Sequence, residues 1–396
     1  RYTYELGRGK RCRTAAERLH LLSKSGKAAS LASFVDAFKV EPLFDEFFRD
    51  YRRVFEKVKE AIRPSFTPSP EDKDKDPLQM FTQRLFNRLM FLAFIERKGW
   101  LKMGRRTDYL SALWESRTYG PKANFYRDHL VPLFFEGLNQ SDRQPDHTDP
   151  RFGSVPYLNG GLFEKADFGY DDNMITRIPD EALASILDAS DSDDSKHGLF
   201  TRYNFTVSES TPLDIEVSVD PEMLGTIFEE LVTERNESGS FYTPKPIVSF
   251  MCREALVGYL ASLCTKEDKS AIEAFVHEHK ADQLRDPEAI LFALKAVTVC
   301  DLACGSGAYL LGMLHELMDL RMCLFASNQK LDSGTAHSRK LEIIEKNLYG
   351  VDKDGFAVGI ARLRLWLSLA VEYDGSTPPP ALPNLDFKIE QGDSLA

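Results

Sequence analysis

The chain has 396 residues, 43% hydrophobic and 28% charged, with a formal net charge of −11. That length exceeds one compact core and predicts two or three domains, while the composition excludes a disordered or collagen-like polymer. The cysteines Cys12, Cys252, Cys264, Cys300, Cys304 and Cys323 form no CxxC pair and no Cys/His zinc spacing, which argues for a reducing compartment, the cytoplasm, and against a structural metal.

No secretory signal opens the chain, no apolar run of bilayer-spanning length is expected, and no membrane partner is expected. The chain begins at Arg1 rather than methionine and stops at Ala396, and is expected to be part of a longer polypeptide. Residues 1–63 read as a basic helical segment. Arg1 to Ser30 holds eight Lys/Arg (Arg1, Arg8, Lys10, Arg11, Arg13, Arg18, Lys24, Lys27) against Glu5 and Glu17. Because screening limits reach to about 10 Å at ordinary salt, such a stretch can hold phosphates despite the acidic total. A solvated helix face explains it equally well.

"PSFTPSPEDKDKDP", residues 64–77, carries four prolines and alternating charges and reads as a linker. Beyond it, residues 78–236 read as a mainly helical domain. Leu78, Phe81, Leu85, Leu89 and Leu92 recur at helical spacing along a buried helix that Gly99 can end. Helical stretches follow near 108–117 and 125–135, and loops near 140–156 and 189–198. Asp220 and Pro221 then form an N-cap and first turn for a helix to Leu231.

From residue 237 the texture changes. β-branched segments alternate with helical ones: "AVTVCDL", residues 307–322, "NLYGVD", residues 355–371 and "LDFKIEQGD". That alternation predicts an α/β domain with a parallel sheet, whose ligands sit beyond the carboxyl ends of the strands.

At the first strand end stands "VCDLACGSGAYLLGML" (Val299 to Leu314). A strand over 297–302 turns through Gly305 and Gly307 into a helix from Ser306 onward. The glycines allow a sharp turn and close approach of a ligand, and the helix N-terminus faces it. It is not GxGxxG, since Leu310 stands where the third glycine belongs, and no lysine follows as in GxxxxGK[ST]. Alone, a glycine pair after a strand is more often a plain structural turn. The later strands add to it. "NLYGVDKD" puts Asp352 at a strand end, where a carboxylate can accept from both ribose hydroxyls. It lies 47 residues beyond Gly305, against about 20 in dinucleotide folds, and the polar insert "SNQKLDSGTAHSRK" supplies the excess. The third strand ends in "EQGDSLA", with Asp393 placed to accept from an adenine amino group. Three strand ends thus outline a pocket for an adenosine without a pyrophosphate.

These residues carry a resemblance. "DLACGSGAYL" resembles motif I of amino-methylating DNA methyltransferases, written D-P-A-C-G-S-G-x-F-L. "GSFYTPKPIVSFM" looks like motif X, "NLYGVDKDGFAVGIARLRLWLSL" like motif II, and "LPNLDFKIEQGDSL" like motif III. "FNRLMFLAFIERKGWL", "NGGLF" and "TPLDIEVSVDPEMLGTIFEELV" are similar to the helical region of fused restriction–modification enzymes of type IIG. The resemblance implies a mainly helical N-terminal region followed, over 237–396, by part of a Rossmann-like class I methyltransferase sheet. It further implies S-adenosyl-L-methionine as cofactor and methyl transfer to adenine N6 in double-stranded DNA, within a restriction–modification or phage-defence system. Other restriction or defence subunits are candidate partners. By the same resemblance Tyr242, Thr243 and Pro244 lie near the methionine end of the cofactor. Asp301, Gly305, Ser306 and Gly307 contact its amino and carboxylate groups, Asp352 takes the ribose, and Asp393, Ser394 and Leu395 border the adenine. Leu302 departs from the family's proline, at an expected cost in rigidity.

The D/N-P-P-Y/F motif with which such enzymes hold a flipped base is not in the sequence; "STPPPALP" lacks both the acid or amide and the aromatic. No catalytic residue is therefore assigned, and the motif is expected beyond residue 396. A methyltransferase-like subunit that binds cofactor or DNA without catalysis is the alternative. "EDK" (Glu71 to Lys73) matches a nuclease E-x-K only in letters, and His277 and His279 point apart on a helix, so no metal site is expected.

Overall fold

The structure is a computed structural model, and its described residues are 2–3, 19, 41–65, 77–141, 148–158, 161–164, 178–189, 197–206, 215–216, 223–225, 243–327, 335–373 and 380–395. Most of the basic Arg1 to Ser30 stretch, the "EDK" tripeptide, Tyr242 and the expected boundary at 236/237 lie outside them. The chain divides into two compact units, Arg1–Met223 with Asp374–Leu382, and Leu224–Tyr373 with Pro383–Ala396.

Among its described residues the first unit is mainly helical, with a short parallel pairing of Tyr2–Thr3 with Ile215–Glu216 and isolated bridges such as that of Lys102 with Ser154. Its helices are α1 (Glu41–Ile62), α2 (Pro77–Ile95), α3 (Tyr109–Glu115), α4 (Asp180–Leu187) and α5 (Leu199–Arg202). In α1, Phe47, Tyr51, Val54, Phe55, Val58 and Ile62 are buried at helical spacing. Helix α2 opens on Pro77 and gives way to a single tight turn, Glu96–Lys98, capped by Gly99 at φ +70°. Its burial exceeds the predicted stripe, because Thr82, Gln83, Asn87 and Arg88 are enclosed as well. Aromatic rings fill the core edge to face: Phe55 lies 5.0 Å from Phe86, Phe47 5.0 Å from Tyr203, and Phe94 5.1 Å from Phe205. Such pairs add about 0.5–1.5 kcal/mol each beyond burial.

Arg88, 2% exposed, shows how this unit deals with buried charge. Its Nε donates to the Leu162 carbonyl at 2.9 Å and its Nη2 to that of Glu164 at 2.8 Å. Its guanidinium lies 5.2 and 5.0 Å from the ring centres of Phe134 and Phe135. The arginine of "FNRLMF" thereby holds the chain at the end of "NGGLF". The stretch predicted near 125–135 consists of two wide i→i+5 turns, Tyr126–Leu130 and Leu133–Gly137.

The second unit contains α6 (Lys245–Leu263), α7 (Lys269–Glu278), α8 (Pro287–Ala296), β1 (Val299–Asp301), α9 (Ala308–Ser327), α10 (Ala336–Lys346), β2 (Leu348–Asp352), α11 (Gly355–Val371) and β3 (Ile389–Gln391). The sheet order is β1-β2-β3 and every pairing is parallel, with Val299 opposite Leu348 and Gly350 opposite Ile389. The unit is thus α/β, as the alternating segments predict. Strand β1 is shorter than the expected 297–302: the Val297 N–H still bonds Ala293 at the end of α8, and Leu302 has left the ladder. Helix α9 starts at Ala308 rather than Ser306, because Gly305 and Gly307 both hold positive φ.

The expectation that no segment is long and apolar enough to span a bilayer is corrected by α6, which meets that test by length and composition. Its face formed by Val248, Cys252, Leu256 and Leu260 is buried. Arg253 Nε reaches both oxygens of the buried Glu316 of α9 at 2.9 Å, and Ser249 Oγ donates to the same carboxylate at 2.6 Å. His277, outside any metal cluster among the described residues, sits 3.2 Å from Glu254.

Candidate functional site

The bend between β1 and α9 is tied to the end of the neighbouring strand. Cys304 N–H donates to the Val351 carbonyl at 3.0 Å, and Gly307 N–H to that of Cys304 at 2.8 Å. Gly305 N–H donates to Asp352 Oδ2 at 2.8 Å. Gly305 has φ +51° and Gly307 φ +83°, the left-handed region where glycine carries no Cβ penalty. The two differ in their surroundings. A Cβ on Gly307 would meet Ala361 of α11 at 3.0 Å, whereas one on Gly305 would meet nothing within 4 Å. One glycine is pressed against the protein and the other faces open space.

Asp352 serves both sides of its strand end. Besides holding Gly305, its Oδ1 accepts from Asp354 N–H at 2.8 Å, and its carbonyl accepts from Gly392 N–H at 2.9 Å. Asp354 caps α11 by accepting from Phe356 N–H at 2.8 Å. Asp301 accepts from Ala303 N–H at 3.2 Å. Burial pushes the Asp301 carboxyl above its usual range and the nearby Asp352 adds to this, against the Ala303 amide. Asp354 is raised by the same causes, burial first, against the N–H groups of Phe356 and Ala357. Burial pushes the Cys304 thiol up to about 12. Among the described residues no cation pairs with Asp301, Asp352 or Asp354.

The third strand end joins the first. Ser394 Oγ donates to the Leu302 carbonyl at 2.8 Å, Asp393 Oδ1 accepts from Leu395 N–H at 3.0 Å, and Lys353 Nζ lies 3.6 Å from Asp393. Leu302 and Leu395 stand exposed beside them. The structure therefore brings Asp301, Gly305, Ser306, Gly307, Asp352, Asp393, Ser394 and Leu395 to one edge of the sheet. Ser306 is buried as a whole residue, with its carbonyl taken by Arg364, so the expected direct contact through Ser306 is not on the open face of the bend. Thr243 and Pro244 lead into α6, which packs on α9. Each carboxylate offers about four acceptor positions, so Asp352, with two amides bound, can still receive hydroxyl groups.

Motif spacing did not single out Ala361, Arg362 or Arg364 of α11. Arg362 donates to the Ile389 carbonyl from Nε at 2.9 Å and Nη2 at 2.6 Å and pairs with Asp386 at 2.6 Å, fixing β3. Arg364 Nη1 donates to the Ser306 carbonyl at 2.9 Å. The available signal was the pair of arginines inside the apolar run "IARLRLWLSLA", since a charge enclosed there must find partners.

Comparison with known proteins accords with the stretches read as motifs I and II. Residues 277–376 match the family model described as MmeI, DNA-methyltransferase domain, a span that includes the bend and Asp352 but not Asp393 to Leu395. RM.MjaORFECS2P of Methanocaldococcus jannaschii, named as a putative type II restriction enzyme and methyltransferase, is 28% identical over 400 residues, which is 90% of this chain and 32% of that protein. RM.Eco57I of Escherichia coli, named as a type II restriction enzyme and methyltransferase, is 34% identical over 109 residues, 24% of this chain and 11% of that protein. The solved structure of the type IIL restriction–modification enzyme MmeI in complex with DNA superposes with a TM-score of 0.50 at 17% identity, covering 88% of this chain and 40% of that one. The chain spans about a third of the length of the Methanocaldococcus relative. The chain is thus similar over residues 277–376 to the DNA-methyltransferase domain described for MmeI, and over most of its length to a protein named as a putative type II restriction enzyme and methyltransferase.

Proposed function

We propose that this chain supplies the cofactor-binding part, with its helical partner region, of an adenine-N6 DNA methyltransferase in a cytoplasmic restriction–modification or phage-defence system. The observation that carries the reading is the convergence of three strand ends on one open glycine bend. Asp301 and Asp352 keep acceptor capacity there, with no cation paired to them among the described residues. This donor and acceptor set suits S-adenosyl-L-methionine, and the open space at Gly305 suits close approach of its methionine part. When bound, that cofactor supplies a methyl group activated on a sulfonium. Asp352 accepts from the ribose hydroxyls, and Asp393, Ser394 and Leu395 border the adenine. Asp301 faces the ammonium, whose charge offsets the burial that raises its own pKa. Gly305 and Gly307 approach through the backbone. Tyr242, Thr243 and Pro244 flank the methionine end. Double-stranded DNA is the substrate, read with its target adenine flipped out; the complex of MmeI with DNA supports that choice.

Calorimetric titration of the full polypeptide with S-adenosyl-L-methionine, NAD and ATP tests the cofactor. Saturable binding of the first alone is expected, weakened at least about tenfold in Asp352→Ala through loss of charge-assisted hydrogen bonds. Transfer of labelled methyl to unmethylated duplex, recovered as N6-methyladenine, tests the reaction. Saturable NAD binding without S-adenosyl-L-methionine binding would sink the reading. Cofactor binding without methyl transfer by the full polypeptide would move it to the non-catalytic alternative.

A further inference from the structure

Arg364 is 6% exposed on α11, and Ser306 between the two bend glycines is 3% exposed. A guanidinium does not shed its proton, so an arginine enclosed here must be held by acceptors. Nη1 donates to the Ser306 carbonyl at 2.9 Å and also reaches Ser306 Oγ at 3.4 Å. Gly225 presses on the same group. A Cβ there would lie 2.7 Å from Arg364 Nη1, 3.1 Å from Ser306 Oγ and 3.2 Å from Arg364 Cζ. Gly225, Arg364 and Ser306 therefore pack without room for one methyl group.

The position of that packing gives it meaning. A bend with two residues at positive φ has no regular helical bonding to keep its shape. Cys304 and Gly305 are tied through their N–H groups to β2, and Arg364 holds the carbonyl of the residue between the glycines. We propose that Arg364, backed by Gly225, is a positioning residue for cofactor binding, orienting the peptide between Ser306 and Gly307 at the mouth of the site. The proposal rests on the reading of this bend as the S-adenosyl-L-methionine site. It also accounts for the glycine of "DPEMLGTIFEELV", because a side chain at 225 displaces the guanidinium from Ser306.

The test uses the full polypeptide with Gly225→Ala, Arg364→Lys, Arg364→Met and the double variant Gly225→Ala with Arg364→Met. Kd for S-adenosyl-L-methionine, KM and kcat on duplex DNA, and Tm are measured for each. Gly225→Ala is expected to raise Kd and KM for the cofactor roughly tenfold, the scale of one charge-assisted hydrogen bond, with kcat at saturating cofactor nearly unchanged. The double variant should bind no more weakly than Arg364→Met, since both changes break one contact. Should Arg364→Met fail to fold, Gly225→Ala and Arg364→Lys decide. Wild-type Kd in those two, a loss confined to Tm, or effects that multiply in the double variant overturn the proposal. Failure of the wild-type polypeptide to bind S-adenosyl-L-methionine overturns it together with the proposed function, and is recognised because the parent itself is inactive in the titration.

Discussion

The two units bury arginines for different ends. In the helical unit, Arg88 is enclosed by two carbonyls and two aromatic rings, so its charge is answered within the fold. In the α/β unit, Arg364 answers one side of a bend whose other side is open at Gly305, and the nearby acids Asp301 and Asp354 are raised by burial. The first arrangement is complete without a ligand. The second leaves acceptors facing outward, which is how a fold stores free energy for binding rather than for stability.

The sharpest way to break this comparison is Arg88→Met. It strands the buried Leu162 carbonyl and the half-buried one of Glu164 and should cost about 2–3 kcal/mol, read as a fall in the first unit's Tm. A fall no larger than that of an exposed substitution would show that its hydrogen bonds contribute little. Gly307→Ala comes next, because it forces φ +83° on an alanine and drives its methyl against Ala361. A loss of about 2 kcal/mol is expected from strain and overpacking, together with loss of cofactor binding; an unchanged denaturation midpoint would contradict the contact.

The smallest effect has the opposite sign. Burial raises the Asp301 pKa, so the native state binds this proton more tightly than the unfolded chain does. Its contribution to stability is present at low pH and lost as pH rises through the native pKa, leaving the ionised group a burden at neutral pH. Asp301→Asn keeps an acceptor for Ala303 and removes that burden. Its Tm at pH of about 7–8 should rise by a few degrees while cofactor affinity falls. A lower Tm at neutral pH would reverse the assignment.

Much of the α/β unit was legible in the sequence, for physical reasons. Glycines at 305 and 307 announce a backbone other residues rarely adopt, and Asp352 closes β2 with its carboxylate on the neighbouring bend while Asp393 lies two residues beyond β3. The helix over 355–371 and the parallel order follow from the alternation of elements. What escaped was partnership. An arginine at 88 or 364 signals that some acceptor encloses it, yet the carbonyls it chooses lie 74 and 58 residues away. The wide turns at 126–137 escaped for another reason, since an apolar pattern scarcely distinguishes i→i+5 from i→i+4 bonding.

The bond from Ser394 Oγ to the Leu302 carbonyl joins positions 92 residues apart. Arg362 holds β3 itself through Ile389 and Asp386, and the Ser394 bond adds a tie between the chain beyond β3 and the opening of the bend. On the proposed reading, one hydroxyl therefore keeps the adenine border beside the glycine bend, and its loss in Ser394→Ala should weaken cofactor binding while the β1–β2 bend keeps its own bonds.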